Sequence, residues 1–357
     1  MTLPPKKICL FPRYHIEGPS SRERIFRFSK ALKEAGYSIE IQPLLYDGYV
    51  KGLYTQKKVC FFRTLNSYLK RIWFLVSNAK QFDLLIAEKE FFPMLPAFFE
   101  RFLIGKVPYV LDYDDAIFLR YRDDARVRWL LGRKIEVINH HAQCTIAGNH
   151  WYETQFEARR FFYFPTSIDL ERFPAAQLFS GHNDVPVIVW LGSPSTFRYL
   201  KELKDVLIQT FERAPFKLRV IGDQWIEKVP FEVENIQWDE LTEIQYLFAS
   251  DIGIMPSQNN EWANGKCGWK LLQYMAAGLA TVASPSAANI EILENDQQGR
   301  IAATESEWVA HLSELLKSKE VRTVMGKNGR ARIEAAYTLE FNLNRLKTEI
   351  NHILEQL

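Results

Sequence analysis

Cysteine is scarce in this chain: there are four in 357 residues, Cys9, Cys60, Cys144 and Cys267, none at a paired spacing. That argues against a disulfide framework and a cysteine-based zinc site, and it suits a reducing cytoplasm. Long apolar runs are missing too. The longest uncharged stretch, Leu271 to Ile290, is interrupted by Gln273, Gly278, Ser284, Pro285, Ser286 and Asn289, whereas a membrane-spanning helix needs about 20 predominantly apolar residues. The run Ile8-Cys9-Leu10-Phe11 is shorter than a signal-peptide core. Net charge is close to nil, with 45 basic against 43 acidic side chains, so no bulk attraction to nucleic acid is expected. A Gly-x-Gly-x-x-Gly fingerprint is also absent. Gly18 stands alone where a nicotinamide-dinucleotide enzyme would need three glycines.

What is present is ordinary globular usage, 47% hydrophobic and 25% charged. At about 150 residues per domain, the length suggests two domains. Lys6 to Phe11 reads as a strand. Ser20 and Glu23 have the spacing of a capping box before a helix whose face is Ile25, Phe28, Leu32 and Ala35, with Gly36 as its stop. Tyr37 to Leu45 reads as the next strand, completing a βαβ unit that favours a parallel sheet covered on both faces. Further strands are expected at Phe82–Ala87, Val107–Asp112, Gln143–Gly148 and Arg160–Phe164. The loop-like stretch Gln177–Asp184 marks a boundary, giving domains 1–180 and 181–357. The second half restarts with strand Val185–Leu191, a helix over Thr196–Phe211, strand Phe216–Ile221, helix Glu240–Ser250, strand Asp251–Met255, helix Gly268–Ala277 and strand Ala280–Ser284. Helical stretches from Ser306, Glu320 and Thr338 close the chain. The expectation is an α/β protein of two doubly wound, Rossmann-like domains facing across a cleft.

Ligands of such sheets bind beyond the carboxyl ends of the strands, where helix N-termini offer free N–H groups. Glu261 to Gly278 is the strongest candidate, a loop entering a helix after the strand that ends at Met255. Gly265 and Gly268 permit close backbone approach, and Lys266 and Lys270 add positive charge, a combination suited to a diphosphate. On pattern alone the two lysines also read as solvated surface charge.

At these residues the chain resembles the family 4 glycosyltransferases of GT-B fold, and within them a bacterial surface-polysaccharide subgroup. The likeness runs from Lys266-Cys267-Gly268-Trp269-Lys270 through Gly278 and on to Val282-Ala283-Ser284-Pro285. It includes Trp190 to Leu200, Arg219-Val220-Ile221-Gly222-Asp223 and Ala249 to Pro256. In the first half it covers Ser20 to Arg24, Leu111 to Ala116 and Pro165 to Asp169. The resemblance implies sugar transfer from a nucleotide-sugar donor, with retention; cationic side chains and helix N-terminal N–H groups can stabilise the departing diphosphate, so no metal or other cofactor is expected. It further implies donor contacts from Gly192, Ser193, Gly222, Asp223, Lys266, Cys267, Gly268 and Gln273. Two glutamates usual in the family's donor loop align with Gly265 and Gln273; the amide of Gln273 still bonds ribose hydroxyls. Of the family's Arg–Lys pair, Arg198 matches the lysine, and Ser193 stands where arginine is usual. Arg198 and Lys270 are therefore the expected stabilisers of the departing diphosphate. The final helix, about 338–357, resembles the family element that crosses back to the first domain.

Asp112-Tyr113-Asp114-Asp115 resembles an Asp-x-Asp metal motif of the other large glycosyltransferase fold. Its place in the first half favours a different reading, in which Asp114 and Asp115 line the acceptor side or meet the transferred sugar. A helix-capping role for either one stands beside it. His15, in the first loop near Arg22 and Arg24, reads as a contact to acceptor or donor phosphate or as a solvated loop histidine. Asn149 and His150 follow the strand Gln143–Gly148 and could face the cleft, and His140 and His141 lie on an apolar helical stretch without a carboxylate at ligand spacing.

One more absence is local. From Gly48 to Phe82 there is no acidic residue, while Lys51, Lys57, Lys58, Arg63, Lys70, Arg71 and Lys80 alternate with Tyr49, Tyr54, Phe61, Phe62, Tyr68, Trp73 and Phe74. Such a segment suits the anionic inner face of a membrane. A helix whose stripe Leu65, Leu69, Ile72 and Val76 is simply core reads equally well. The functional expectation is a cytoplasmic glycosyltransferase, peripheral on the inner face of a membrane, with a lipid-linked or glycan acceptor and no nucleic-acid partner. Its alternative is a non-catalytic nucleotide-sugar-binding or scaffold subunit of a polysaccharide assembly complex.

Overall fold

Ile8-Cys9-Leu10-Phe11 and Leu84-Leu85-Ile86-Ala87 are apolar on both sides of the strand, so each must be covered on both faces. In the computed structural model they are. It describes residues 5–54, 60–175, 178 and 183–357. The chain divides into two units, Met1–Thr166 with Leu343–Leu357, and Ser167–Asn342. The expected boundary at 180–181 lies outside the described residues.

The first unit holds β1 (Lys7–Phe11), β2 (Ser38–Ile41), β3 (Leu84–Glu88), β4 (Tyr109–Tyr113), β5 (Cys144–Ala147) and β6 (Phe161–Tyr163). They form one parallel sheet in the order β2-β1-β3-β4-β5-β6, with Ile8 in register with Ile39 and Leu84. Side-chain alternation divides the core. Cys9, Phe11, Leu85, Ala87, Leu111 and Tyr113 face the helices Phe61–Asn78, Ala97–Ile104 and Lys134–His141. Ile8, Leu10, Leu84, Ile86, Val110 and Ile146 face the helix Arg27–Glu34 and, from the end of the chain, Leu346, Ile350, Ile353 and Leu354. Those last four lie on the helix Leu339–Glu355, whose residues from Leu343 onward belong to this unit.

The second unit repeats the plan with β7 (Val187–Leu191), β8 (Lys217–Ile221), β9 (Glu232–Ile236), β10 (Ile252–Met255), β11 (Ala280–Ala283) and β12 (Arg300–Ile301). The order is β12-β11-β10-β7-β8-β9, again all parallel. Each unit is doubly wound, and the strand order reverses at β1/β3 in the first and at β7/β10 in the second. Those are the positions at which such sheets bind ligands.

Three local expectations change. No capping box forms at Ser20: Gly18 caps a short Pro19–Ser21 turn, and Arg22–Phe26 opens into a wider π turn that alters the spacing. The expected helix over Thr196–Phe211 is two helices, Pro194–Glu202 and Lys204–Arg213, meeting at Leu203. Of the two readings of Phe61–Asn78, the one that makes its apolar stripe core does not hold, because the stripe is mostly outward. Leu65, Leu69 and Val76 are exposed, and Arg71, expected among the outward charges, is buried, donating to the carbonyls of Phe91, Pro12 and Gln42.

Candidate functional site

In the second unit the sheet reverses between β7 and β10, and the chain leaving β7 is Gly192-Ser193. Lys270, in the first turn of the helix Trp269–Ala276, reaches this spot. Its Nζ donates to Thr196 Oγ1 at 3.1 Å and lies 4.8 Å from the centroid of the Trp190 ring. A Cβ on Gly192 would stand 2.4 Å from Trp190 Cζ2 and 2.7 Å from Lys270 Nζ, so only glycine leaves room for this stack. Burial, and then the charge of Lys266, pulls the Lys270 pKa down to about 7. A cation in a first helical turn also meets the positive end of the helix dipole. Burial, Lys266 and the helix dipole together leave the Lys270 charge in want of an anion.

The surrounding glycines keep the strand ends open. Gly222 sits at φ +100°, and a Cβ there would fall 2.1 Å from the Gly192 carbonyl. Gly268, in the left-handed region at φ +66°, caps the Lys270 helix, and its Cβ would strike Ile292. Cys267 beside it is buried. Gly265 closes the short helix Glu261–Asn264, and the Lys266 ammonium lies 5.1 Å from the Trp262 ring centroid. Asp223 accepts from the Gln224 backbone N–H at 2.7 Å.

The expected partner of Lys270 is placed differently. Arg198 is exposed on its helix, donates to the Tyr199 hydroxyl at 2.7 Å and lies over that ring at 4.8 Å. Ser193 caps the same helix, with its hydroxyl 2.9 Å from that of Ser195. Thr196 is the residue brought to Lys270, and sequence reasoning missed it. It also missed Glu243. Gln273 is buried and donates from Nε2 to Glu243 Oε1 at 3.1 Å, while Trp238 Nε1 donates to Glu243 Oε2 at 2.6 Å. Burial raises the Glu243 pKa. Gln273 Oε1 is buried without a hydrogen-bond partner. Nothing in the local pattern around Ile244 and Leu247 marks Glu243 as other than a surface acid.

In the first unit the reversal point lies by the end of β3. Lys89 follows β3 in the left-handed region, at φ +67°. That turn folds its side chain inward, where Nζ lies 2.8 Å from Asp114 Oδ1, 3.2 Å from Asp115 Oδ2 and 4.0 Å from Glu88 Oε1. Burial opposes its charge, but Asp114, Asp115 and Glu88 outweigh it and raise the Lys89 pKa. Ser20 donates to Asp114, and Ser21 Oγ and the Arg13 N–H donate to Glu88 Oε2 at 2.5 and 2.9 Å. Asp112 is not in this group. It is wholly buried against Arg24, whose guanidinium also donates to the Phe164 carbonyl at 2.9 Å. Asn149 caps a turn through Trp151 N–H, His150 stacks on Tyr163, and His141 Nδ1 contacts the Val137 carbonyl.

A strand end stripped to glycine beneath an enclosed lysine is the geometry of an anion site, and the sequence around it has known kin. Residues 185–318 match the glycosyl transferases group 1 family. A sulfoquinovosyl transferase, SQD2 of Arabidopsis thaliana, is 26% identical over 172 residues, which are 44% of this chain and 32% of that protein. The chain thus spans about a third of the length of that curated relative. A glycosyltransferase from Rickettsia africae superposes with a TM-score of 0.73 at 12% identity, over 99% of this chain and 100% of that one. HepE from Anabaena, solved in complex with UDP-glucose, superposes with a TM-score of 0.70 at 14% identity, over 97% of this chain and 99% of that one. The fold is that of the GT-B glycosyltransferases, with two Rossmann-like domains.

Proposed function

We propose that this chain is a glycosyltransferase of the family 4 kind, transferring a hexose from a nucleotide sugar, with retention, to a lipid-linked or polysaccharide acceptor on the cytoplasmic side. One observation carries the reading: Lys270 is an enclosed lysine without an ion pair among the described residues, held beside Gly192 at the reversal point of the second sheet. A diphosphate supplies the missing counter-charge, and the family match covers this very segment. Gly268 and the N–H groups of its helix add donors to the same anion. The unpartnered Oε1 of Gln273 suits a ribose hydroxyl. UDP is the first nucleotide to try, because HepE binds UDP-glucose.

In this reading Lys270, with Arg198 and Lys266 as the further charges first expected here, stabilises the leaving diphosphate by preorganised charge, so no metal step is required. Lys89, already paired with Asp114 and Asp115, supplies a protein cation where an Asp-x-Asp motif would hold a metal. These carboxylates then serve the acceptor side or the sugar. Gly265 and Ser193, which lack the family's charges, favour a second reading, a nucleotide-sugar-binding subunit without catalysis.

A panel of nucleotide sugars tests both. A rise in melting temperature identifies the donor, since a ligand bound to the native state stabilises it. Release of nucleoside diphosphate with an acceptor supports transfer; binding without release supports the second reading. No shift with any nucleotide sugar defeats both.

A further inference from the structure

The helix Phe61–Asn78 presents aromatic residues to solvent on a scale that a core helix does not need. Tyr68, Ile72 and Leu75 pack inward. Outward lie Phe61, Phe62, Leu65, Leu69, Trp73 and Val76, with Phe62 79% and Trp73 68% exposed. Phe61, Leu65, Leu69 and Trp73 recur every fourth residue, so they form a stripe that Val76 extends to about 22 Å at 1.5 Å per residue. The helix Ala97–Ile104 packs beside it, linked through the rings of Tyr68, Phe92 and Phe99, and adds Phe98 and Phe102, the latter 81% exposed. The first helix lies in the basic segment already expected to suit an anionic membrane face; the second lies outside that segment and was not expected to contribute. Soluble monomers rarely leave contiguous apolar surface of this extent without a partner.

Charge identifies the partner. The first helix has no acidic residue, and the one acid of the second, Glu100, is buried and paired with Lys134 at 2.6 Å. Arg63, Lys70, Lys80, Arg101 and Lys106 are exposed on or beside the two helices. A second copy of this face would bring like charges together. An anionic bilayer matches both features, since aromatic rings settle at the headgroup level and basic side chains meet the lipid phosphates. We propose that the faces of Phe61–Asn78 and Ala97–Ile104 dock together on an anionic membrane surface. The proposal rests on the proposed function only for its purpose, which is to bring a lipid-linked acceptor to the enzyme. Lys57 and Lys58 lie outside the described residues and are not needed for it.

Vesicle flotation tests it, comparing phosphatidylcholine vesicles with vesicles that also contain phosphatidylglycerol. Recovery is expected on the anionic vesicles alone and should fall as salt rises. The double variant Trp73→Ser with Phe102→Ser should lose binding, and Lys70→Glu with Arg101→Glu should weaken it at least fivefold for each site. All four positions are exposed, so melting temperature should hold, and UDP binding measured on the same preparations should be unchanged. Equal recovery on both vesicle types, recovery on neither, or variants that float like the parent would overturn the docking surface. So would a concentration-dependent dimer abolished by Trp73→Ser. Loss of UDP binding in the parent, with flotation intact, would count against the proposed function alone.

Discussion

The Lys270 ammonium lies 4.8 Å from the centre of the Trp190 ring, and no carboxylate among the described residues pairs with it. The ring face supplies a weak negative potential, enough to seat a cation and not enough to neutralise it. Its folded pKa of about 7 lies below the ordinary lysine value of 10.5. Between those values the unfolded chain binds more protons than the folded one, so this group makes stability rise with pH across that window.

Lys270→Met should therefore raise the melting temperature of the unliganded protein. The gain should be largest below pH 7 and shrink toward pH 10. The same variant should lose UDP binding, because a charge-assisted hydrogen bond of about 1.5–3 kcal/mol disappears. In the parent, UDP affinity should fall as pH rises above neutrality. A melting temperature lowered at every pH would show that Lys270 is structural.

Gly192→Ala and Gly222→Ala should separate binding from folding. The first intrudes on Trp190 and Lys270, and UDP binding measured by calorimetry should drop at least tenfold. The second forces a side chain into φ +100° against the Gly192 carbonyl. It should cost at least about 1–3 kcal/mol in denaturant unfolding. Gly192→Ala with full UDP affinity would remove the close approach from the site.

Asp112 and Asp115 should behave as opposites. Asp112→Asn leaves the Arg24 guanidinium buried without its counter-ion, at a cost of about 3–5 kcal/mol in unfolding free energy. Asp115→Asn removes one of three carboxylates around Lys89 and should change turnover more than stability. Equal losses of stability in both would make Asp115 part of the scaffold.

Turnover should persist in EDTA if protein cations alone balance the leaving group. Complete loss, restored by Mn²⁺, would return Asp114 and Asp115 to a metal-binding role.

The strands of both sheets were legible because buried parallel strands are apolar on both faces, as Val187 to Leu191 are. The two edge strands of the second sheet carry no such mark: β9 interleaves Glu232 and Glu234 with Val233, and β12 is two residues long. Gly268 and Lys270 could be found from spacing, since a helix entered from a glycine is a local pattern. Lys89 could not. Glu88-Lys89-Glu90 reads as a solvated charge run, and only the left-handed turn at Lys89 reverses its direction. Glu243 was hidden for a related reason, because its partners Gln273 and Trp238 come from distant or unpatterned sequence.

The helix Leu339–Glu355 gives the two units an unequal history during synthesis. Ser167–Asn342 is contiguous, so it can complete its fold as soon as its last residues leave the ribosome. The first unit is made earlier and finishes later. One face of its sheet has the helix Arg27–Glu34 but lacks the rest of its cover until Leu346, Ile350, Ile353 and Leu354 arrive, some 180 residues after β6. During that interval Phe28 and Leu32 cover Ile8, Leu10, Leu84 and Ile86 only in part, and the apolar surface left over is a natural target for a holding chaperone. Cutting the gene at the unit boundary would make this interval permanent. An autonomous first unit is therefore expected to need residues 343–357 together with those up to Thr166.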